Sequence, residues 1–427
     1  MDSSKEIMLK IDSLSYGPYG IGRDNRRVIL VPLTVPGDEV GVRVVEEKKN
    51  YAIGELSHLI KPSPLRLIPP CPYFDRCGGC PWQQIEYEGQ LAAKEKIVVD
   101  SLQRIGRLDG FELLPILRSP KVDGYRRRIR LQCDDHKRLG FYRAFSHELI
   151  EIESCLVADP QADRHLSVAR KWITGLITEL QQVEMIVGDG EEQTVVVGRA
   201  KGRFSPEDDP LCATLVAGQK EIRGIILSGP GWHRSWGRAK IIIRSDDDLV
   251  MEVDGDTFTQ VNREGNNRLV GEILRWGEFN HRDRVLELYA GAGNLTLPVA
   301  RRAMEVVAVD GNPQSVRNGK ENGRLNRIGN IRWRCSDVSK AARGLVRDQE
   351  QFSKIVLNPP RSGAKGLELE LASLNADKIL YVSCNPSTLA RDLSALNKKG
   401  YKLTRVQPVD LFPHTFHVEA LAELVRS

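Results

Sequence analysis

Residues 285–294 read VLELYAGAGN, an apolar strand that runs into a glycine-rich turn, and 295–301 can then begin a helix. Glycine is needed in such a turn because the backbone bends tightly and approaches a ligand closely. A second apolar strand at 306–309 ends in Asp310, ~20 residues after the glycines, where a carboxylate can accept hydrogen bonds from ribose hydroxyls. The pattern predicts a site for a nucleoside-type cofactor. A purely structural turn is the alternative, since many βα turns carry glycine.

Strand and helix patterns alternate from about residue 263 to the C-terminus. Helices are predicted at 313–326 and 387–397, so the strands between them should form a parallel sheet covered on both faces. The last two strands, near 401–408 and 418–425, lack a full helix between them and should pair antiparallel. The other strand candidates are residues 284–288, 305–309, 331–335, 354–357 and 378–382.

The N-terminal part of the chain has a different pattern. Residues 7–60 contain short β-rich segments separated by glycine and proline, which predict a small OB-like barrel. Such barrels often bind single-stranded nucleic acid, although a β-module without a ligand would look the same. A proline-rich linker follows, then a helix at 87–105 that can pack on either neighbouring domain. We expect an α/β protein with an N-terminal OB-like β-barrel (1–62), a central mixed α+β domain (63–250) and a C-terminal Rossmann-like domain (251–427).

Length and composition fit a soluble protein of about three domains. The chain has 427 residues, of which 41% are hydrophobic and 28% charged, and one hydrophobic core rarely grows that large. No run approaches the ~20 apolar residues of a membrane helix, and the N-terminus lacks the apolar region of a secretory signal. We therefore expect a cytoplasmic protein without membrane contact, whose eight cysteines do not form structural disulfides.

The charge distribution allows nucleic-acid binding without requiring it. The net charge is only +5, but residues 125–130 read YRRRIR and are followed by Lys137, Arg138 and Arg143. A row of Lys and Arg on one surface can neutralise phosphates. The same run on a solvated strand face would be structural, and the sequence leaves both interpretations open.

The glycine turn favours S-adenosylmethionine over a nicotinamide cofactor. A third glycine would be needed at 296 for the dinucleotide fingerprint, and Thr296 stands there. Two more polar residues follow strands at the same expected sheet edge. Asp337 suits an adenine amino group, and Asn358 begins the segment Asn358-Pro359-Pro360-Arg361.

A cysteine and a glutamate are the candidate catalytic pair. Cys384 ends an apolar strand in LYVSCNP, and Pro386 suits the first turn of the next helix. A thiol near a helix N-terminus gains thiolate character, whereas a lone cysteine is more often a small buried residue. Glu419, in PHTFHVE, can reach the same edge as a base or can be a simple surface charge. A thiolate that adds to C6 of uracil makes C5 nucleophilic, and a base must then remove the C5 proton.

Four cysteines suggest a metal site. Cys71, Cys77 and Cys80 lie in the loop CPYFDRCGGCPW, and Cys155 is a distant fourth. Four thiolates can hold an iron–sulfur cluster or a structural zinc ion, and the spacing does not decide between them. The remaining cysteines at 133, 212 and 335 have apolar or strand neighbours, so we expect them to be buried.

These motifs together resemble the RNA 5-methyluridine (uracil-C5) methyltransferase family. YAGAGNLTLPVA, the NPPR box, YVSCNPSTLARDL and PHTFHVEALAEL carry the resemblance, which covers most of the chain. The N-terminal module resembles a TRAM domain, an OB-like RNA-binding barrel. The cysteine arrangement is similar to that of the branch that bears a [4Fe-4S] cluster.

The resemblance implies specific roles for residues of this chain. Cys384 would be the nucleophile, Glu419 the proton acceptor, and Arg361 would hold the target nucleotide. S-adenosylmethionine would be the methyl donor, and a [4Fe-4S] cluster is favoured over zinc. The S-adenosylmethionine site would comprise Gln260, Tyr289, Gly291, Gly293, Asn294, Asp310, Asp337 and Asn358, and the cluster ligands would be Cys71, Cys77, Cys80 and Cys155.

One departure from the family leaves alternatives open. The family usually has Asp where this chain has Asn358, which keeps hydrogen-bonding capacity but loses a negative charge. A catalytically impaired RNA-binding scaffold is therefore a second hypothesis, although Cys384 and Glu419 argue against it. An NPP box also occurs in N6-adenine methyltransferases, but these need an aromatic residue where Arg361 stands.

The expected partner is RNA, and we expect the protein to be a monomer. Barrel and cluster together are more similar to the ribosomal RNA branch than to the bacterial transfer RNA branch. Large-subunit ribosomal RNA is therefore the expected substrate, and transfer RNA is the alternative.

Overall fold

The computed structural model describes residues 6–190 and 193–427. Its N-terminal segment forms a closed barrel of five strands in the order β1-β2-β3-β5-β4, which confirms the predicted OB-like module. The sequence pattern does not predict the second strand, because Gly20 and Gly22 look like turn residues. Gly20 is required by packing, since a Cβ there would lie 2.1 Å from Oγ1 of Thr34. The strands are β1 (Glu6–Leu14), β2 (Tyr19–Asp24), β3 (Arg27–Pro32), β4 (Glu39–Glu47) and β5 (Tyr51–Lys61).

The middle of the chain forms a long helix followed by a mixed sheet. The sheet has seven strands in the order β13-β12-β11-β10-β7-β8-β9, in which only β11 and β12 run parallel. A separate hairpin, β14 with β15, follows it. The elements are α1 (Tyr87–Arg104), β6 (Glu112–Leu113), β7 (Arg128–Cys133), β8 (Leu139–Tyr142), β9 (Leu149–Glu151), α2 (Pro160–Arg164), α3 (Leu166–Gly175), β10 (Leu180–Val187), β11 (Thr194–Ala200), α4 (Asp208–Gly218), β12 (Ile222–Gly229), β13 (Trp232–Gly237), β14 (Lys240–Arg244) and β15 (Val250–Asp254).

The C-terminal part is an eight-stranded sheet in the order β18-β17-β16-β19-β20-β22-β21-β6. The first five strands in this order are parallel and the last two of the chain pair antiparallel, as the sequence predicts. The elements are α5 (Arg263–Gly277), β16 (Arg284–Leu288), α6 (Thr296–Ala300), β17 (Glu305–Asp310), α7 (Pro313–Leu325), β18 (Ile331–Cys335), α8 (Val338–Arg347), β19 (Lys354–Leu357), α9 (Glu368–Ser373), β20 (Lys378–Ser383), α10 (Pro386–Asn397), β21 (Tyr401–Val409) and β22 (Glu419–Arg426).

Asn–Pro pairs set where two of the helices begin. Asn312 caps α7, because its side-chain oxygen accepts hydrogen bonds from two backbone N–H groups of the first turn. Asn385 caps α10 in the same way, and in both helices proline occupies the first turn. These caps fix the chain at the carboxyl ends of β17 and β20, where the predicted functional residues lie.

Helix α1 packs on the C-terminal sheet. Its Val98 and Leu102 belong to the same hydrophobic cluster as Leu389 and Leu393 of α10. β6, which also precedes the central sheet, extends the C-terminal sheet by pairing with β21. Two elements from before the central sheet therefore complete the C-terminal layer.

A buried ion pair joins α1 to residues 410–418, which we call the C-terminal loop. Nζ of Lys94 lies 2.6 Å from Oδ1 of Asp410, and neither side chain is exposed. Lys94 also donates to the carbonyl of Phe412 at 3.0 Å, and the Tyr87 hydroxyl donates to Asp410 at 2.9 Å. Burial lowers the pKa of Lys94, and the Asp410 carboxylate opposes this shift.

The C-terminal loop also contacts the other parts of the chain. The backbone N–H of His414 donates to the Gln90 side chain at 2.8 Å, and its carbonyl accepts from the N–H of Trp82 at 3.0 Å, next to the cysteine loop. The Tyr125 hydroxyl donates to the Pro413 carbonyl at 3.2 Å. Asn262 donates to the carbonyl of Leu411 at 3.1 Å. The loop is thus held from several directions at once.

One expectation about the cysteines is corrected by the fold. Cys335 is exposed, because it ends the edge strand β18, whereas Cys133 and Cys212 are buried as expected. Among the helices of residues 6–190 and 193–427, none combines the length and apolar character that crossing a membrane requires.

Replacing Lys94 should test how much the buried pair contributes to the free energy of unfolding. Lys94→Met leaves the Asp410 carboxylate buried without its partner, so we expect a loss of about 3–5 kcal/mol in the free energy of unfolding. Lys96→Met is the matched control on the same helix, because Lys96 forms only an exposed pair with Asp100 and should cost under about 1 kcal/mol. Denaturant titration of both variants measures the difference, and equal losses would contradict the assignment.

Candidate functional site

A pocket of about 740 Å³ opens at the carboxyl ends of the parallel strands. This is where ligands bind in open α/β sheets. Most of the residues predicted for the site line this one pocket. They are Gln260, Tyr289, Gly291, Asn294, Asp310, Asn358, Arg361, Cys384 and Glu419.

The glycine turn and Asp310 form one corner of the pocket. Oδ2 of Asp310 accepts a hydrogen bond from the backbone N–H of Gly291 at 2.8 Å, and Oδ1 accepts from that of Asn312 at 2.7 Å. Gly291 has φ +57° and Tyr289, although not a glycine, has φ +65°. A left-handed tyrosine is a strained conformation of the kind that clusters at functional sites. The acid therefore holds the turn while its carboxylate faces the pocket.

Two predicted cofactor residues do not line the pocket. Gly293 has φ +104° and shapes the turn behind it. Asp337 caps α8 by accepting a hydrogen bond from the backbone N–H of Lys340 at 2.9 Å. Asp337 still lies near Tyr289. Burial is the main cause that raises the pKa of the Tyr289 phenol, and the charge of Asp337 is the second cause. A ligand role for these two residues stays a prediction.

Amide side chains line much of the pocket. Asn294 and Asn266 exchange two hydrogen bonds, both of 2.9 Å. Asn266 could not be predicted from the sequence, since a helical asparagine gives no signal by itself. Asn358 lines the pocket, and its side chain makes no hydrogen bond to the described part of the chain, so its amide is available to a ligand.

The surroundings of Cys384 disfavour its thiolate. Burial raises its pKa to about 11, the Glu419 carboxylate adds to this effect, and the Arg361 guanidinium opposes it. The activation that we expect from the helix N-terminus is opposed by the cap of that helix. The side chain of Asn385 already accepts from the N–H groups of Ser387 and Thr388, at 3.0 and 3.4 Å, so two free donors of the helix are occupied.

Glu419 is a buried carboxyl group and not a surface charge. Burial raises its pKa to about 7, against the opposing charge of Arg361. An acid with a pKa near neutrality can both accept and release a proton at ordinary pH. The position of Glu419 is set by β22, which begins at this residue and pairs with β20, the strand before Cys384.

Arg361 lies between the catalytic pair and His417. Its guanidinium is 3.4 Å from Nε2 of His417, and burial and the Arg361 charge lower the pKa of that histidine to about 4. His417 is therefore neutral and can accept a hydrogen bond. The Arg361 backbone carbonyl accepts from the side chains of Asn385 and Thr388, at 3.3 and 3.2 Å, which ties the arginine to the start of α10.

The four predicted cysteine ligands meet at a second cavity, of about 310 Å³. Cys71, Cys77, Cys80 and Cys155 all line it, although no three His, Cys, Asp or Glu side chains among the described residues converge tightly enough to hold a metal ion. Burial raises the pKa of Cys80 to about 12 and that of Cys155 to about 11. The cysteine cavity shares part of its wall with the larger pocket: Arg126, Arg130, Arg361, Phe412 and His417 line both.

Much of the basic run 125–130 is committed to internal pairs. Arg127 is buried against Asp189 at 2.5 Å, and Arg130 pairs with Glu184 at 3.1 Å. Arg126 lines both cavities, as Arg130 does, but it has no ion pair within residues 6–190 and 193–427. The run is therefore largely structural, with Arg126 available to a ligand.

Known RNA uracil-C5 methyltransferases are similar to this chain over nearly its whole length. The family described as tRNA (Uracil-5-)-methyltransferase matches residues 240–426, and the TRAM domain of tRNA (uracil(54)-C(5))-methyltransferase matches residues 7–65. The 23S rRNA (uracil(1939)-C(5))-methyltransferase of Aeromonas salmonicida is 34% identical, over 98% of this chain and 96% of that protein.

This chain belongs to the RNA uracil-C5 methyltransferase family. An uncharacterized RNA methyltransferase of Thermosynechococcus vestitus is also 34% identical, over 99% of this chain and 98% of that protein. The crystal structure of the Pyrococcus abyssi tRNA (uracil-54, C5)-methyltransferase in complex with S-adenosyl-L-homocysteine superposes with a TM-score of 0.74. It is 26% identical and covers 98% of this chain and 100% of its own. The α/β methyltransferase fold is therefore confirmed, and the protein is an RNA methyltransferase.

The reactivity of Cys384 should depend on Glu419. Above the Glu419 pKa of about 7, the carboxylate disfavours a second negative charge on the thiol. Glu419→Gln removes that charge, so the pKa of Cys384 should fall and its alkylation by iodoacetamide should begin at lower pH. Mass spectrometry of the Cys384 peptide over a pH series measures this.

Cys335 supplies the internal control for that experiment. It is exposed on β18, and its alkylation profile should be the same in both proteins. An unchanged profile for Cys384 in Glu419→Gln would show that the two groups do not interact.

Proposed function

We propose that this methyltransferase acts on C5 of uridine in large-subunit ribosomal RNA through a covalent bond between Cys384 and C6. Glu419 is the base that removes the C5 proton, and Arg361 holds the target nucleotide. The observation that carries this proposal is that Cys384, Glu419 and Arg361 face one pocket together with the glycine turn and Asp310.

S-adenosylmethionine fits the other half of that pocket, where it would supply an electrophilic methyl group. Asp310 has carboxylate lone pairs for ribose hydroxyls beyond the two backbone groups it already accepts. The other residues we assign to the cofactor are Gln260, Tyr289, Gly291, Gly293, Asn294, Asp337 and Asn358.

The chain's residues would act in a fixed order. The Cys384 thiol releases its proton to solvent water as the nucleotide enters, so that Glu419 stays free to act later. The Cys384 sulfur then forms a bond to C6, which pushes an electron pair toward C5. C5 then attacks the methyl group, so that a C–C bond forms as the methyl–sulfonium bond breaks. Glu419 takes the proton from C5, the S–C6 bond breaks, and 5-methyluridine leaves.

The local charges suit this order. A thiol of high pKa next to a carboxylate is unreactive while the pocket is empty of RNA, which protects it from oxidation. The Arg361 guanidinium lowers the pKa of both Cys384 and Glu419. Its positive charge can also stabilise the negative charge that develops on the uracil ring.

Two substrate classes remain to be compared. The relatives named as 23S rRNA methyltransferases include that of Vibrio parahaemolyticus, 29% identical over 100% of this chain, and they favour ribosomal RNA. The Pyrococcus structure and the family description name transfer RNA. We assign ribosomal RNA, with transfer RNA as the second candidate.

A 5-fluorouridine substrate should trap the covalent complex. Fluorine at C5 cannot leave as a cation, so elimination stalls after methyl transfer. We expect an adduct with 5-fluorouridine 23S rRNA fragments that survives denaturing electrophoresis, requires S-adenosylmethionine and is absent in Cys384→Ala. Equivalent transfer RNA transcripts should form little adduct, and the reverse preference would reassign the substrate.

Glu419→Gln is the sharper variant for the same reaction. It should still methylate C5 but release product slowly, so that ordinary uridine RNA accumulates as a methylated covalent complex. Normal release by Glu419→Gln would remove Glu419 from its role. Methyl transfer by Cys384→Ala would contradict the nucleophilic mechanism altogether.

We further propose that the cysteine cavity holds a [4Fe-4S] cluster bound by Cys71, Cys77, Cys80 and Cys155. Four thiols around a cavity suit a cluster, which occupies the space between its ligands. A single zinc ion instead needs its sulfur ligands within about 3.8 Å of one another, from Zn–S bonds of about 2.3 Å. The similarity of the cysteine arrangement to that of the cluster-bearing branch of the family favours the cluster over zinc. We also propose a division into a TRAM-like barrel (1–62), a cluster domain (63–250) and a methyltransferase domain (251–427), with α1 and β6 packed in the methyltransferase layer.

Metal analysis should distinguish the two groups. Protein purified without oxygen should be brown and contain iron and sulfide at about four of each per chain. Cys77→Ser should lose the cluster and become less soluble, because metal binding of this kind is coupled to folding. Cys133→Ser, a buried cysteine outside the cavity, should keep it. Colourless protein with one zinc per chain would overturn the assignment.

A further inference from the structure

The loop between β1 and β2 projects from the barrel toward the methyltransferase sheet. Ser15 closes it with two hydrogen bonds to the carbonyl of Tyr19, at 2.9 Å from its N–H and 3.1 Å from its hydroxyl. The N–H of Gly17 donates to the Ser15 carbonyl at 2.8 Å. This tight turn fixes the direction of Tyr16 at its tip.

Tyr16 reaches the nucleophile from a part of the chain 368 residues away. Its hydroxyl donates a hydrogen bond of 2.7 Å to the backbone carbonyl of Cys384. Its ring stands edge-on to Phe416 of the C-terminal loop, with centroids 5.8 Å apart and planes at 87°. A hydrogen bond and an aromatic contact together determine both the position and the orientation of the phenol.

The electrostatics agree with this placement. Burial raises the pKa of Tyr16 to about 12, the charges of Cys384 and Glu419 contribute, and Arg361 opposes them. The phenol is therefore close to all three proposed active-site groups and remains a protonated donor. Tyr16 does not itself line the pocket, so it contacts Cys384 from behind and not from the substrate side.

We propose that Tyr16 is a positioning residue for the nucleophile, by which the N-terminal barrel fixes the direction of the Cys384 thiol. The Cys384 carbonyl lies where β20 ends and the capped start of α10 begins. Holding this peptide group restrains the same residue's side chain, which must point toward C6 of the uracil. The proposal rests on the nucleophilic role of Cys384. It adds that a barrel residue is needed for the chemical step, beyond any contact of the barrel with RNA.

Tyr16→Phe in the full-length protein isolates the hydroxyl, since the ring and its contact with Phe416 remain. The loss of one hydrogen bond to the reacting residue should slow single-turnover adduct formation with 5-fluorouridine RNA by roughly 3- to 10-fold at saturating RNA. The Kd for RNA should change less than about twofold, because the side chain does not face the substrate. Thermal unfolding checks that the fold is kept.

Tyr19→Phe is the matched control. Tyr19 is the first residue of β2, directly after the same loop. Its ring stacks on Phe145 at 5.4 Å, and its hydroxyl makes no hydrogen bond within the described residues. This variant should form adduct at the rate of the unmodified protein. Tyr16→Leu removes the ring as well, and its adduct rate should fall at least as far as that of Tyr16→Phe.

The outcomes separate this proposal from the mechanism on which it rests. An unchanged adduct rate in Tyr16→Phe, with adduct present in the unmodified protein, would overturn the role of Tyr16 alone. A loss confined to Tyr16→Leu, or a change in RNA Kd without a change in rate, would assign Tyr16 to packing. The absence of adduct in the unmodified protein would instead contradict the nucleophilic mechanism.

Discussion

The buried pair of Lys94 and Asp410 is the interaction on which the rest of the site depends. Two charges removed from water are tolerated only with good geometry and further hydrogen bonds, and here Tyr87 and the Phe412 carbonyl supply them. The pair anchors the C-terminal loop, which otherwise has little regular structure. That loop leads directly into Glu419 and carries His417 and Phe416, so its placement decides where the proposed base lies. An apolar pair could fill the same volume, but it would not hold the backbone of the loop by hydrogen bonds.

Burial also sets the chemistry of the pocket. The same low-polarity surroundings raise the pKa of Cys384 and of Glu419. The shift at Cys384 disfavours the nucleophilic thiolate, whereas the shift at Glu419 lets this carboxyl group hold a proton near neutral pH. A single cation, Arg361, opposes both shifts. Burial therefore favours a neutral Cys384 thiol in the free protein. The proposed mechanism requires this thiol to ionise when RNA enters the pocket. Asn358 fits this view, because an amide adds no further negative charge to the pocket that it lines with Cys384.

Much of the fold could be predicted from the sequence because the relevant signals are local. The strands at 284–288, 331–335 and 354–357 have the predicted bounds, since apolar runs between turns need no tertiary information. β2 could not be predicted, because its glycines look like turn residues and only close packing explains them, of Gly20 against Thr34 and of Gly22 against Lys10 and Leu9. The burial of Cys384 and the cap that occupies the helix donors both oppose the predicted thiolate character. Neither could be predicted, because both are properties of the assembled site. Tyr16 gives no signal at all, since its partner is a backbone atom in a distant segment.

The wall that the two cavities share connects the central region of the chain to the methyltransferase sheet. Arg126, Arg361 and His417 face both the cysteine cavity and the catalytic pocket, so an occupant of the first constrains side chains of the second. The C-terminal loop is held by α1, by Trp82 of the cysteine loop and by Tyr125 of the central region. Tyr16 adds the barrel to the same place. Every segment before the methyltransferase sheet thus reaches its active edge. Because side chains at a reacting centre must be held within fractions of an ångström, these contacts are the physical basis for the proposed part of the N-terminal half of the chain in catalysis.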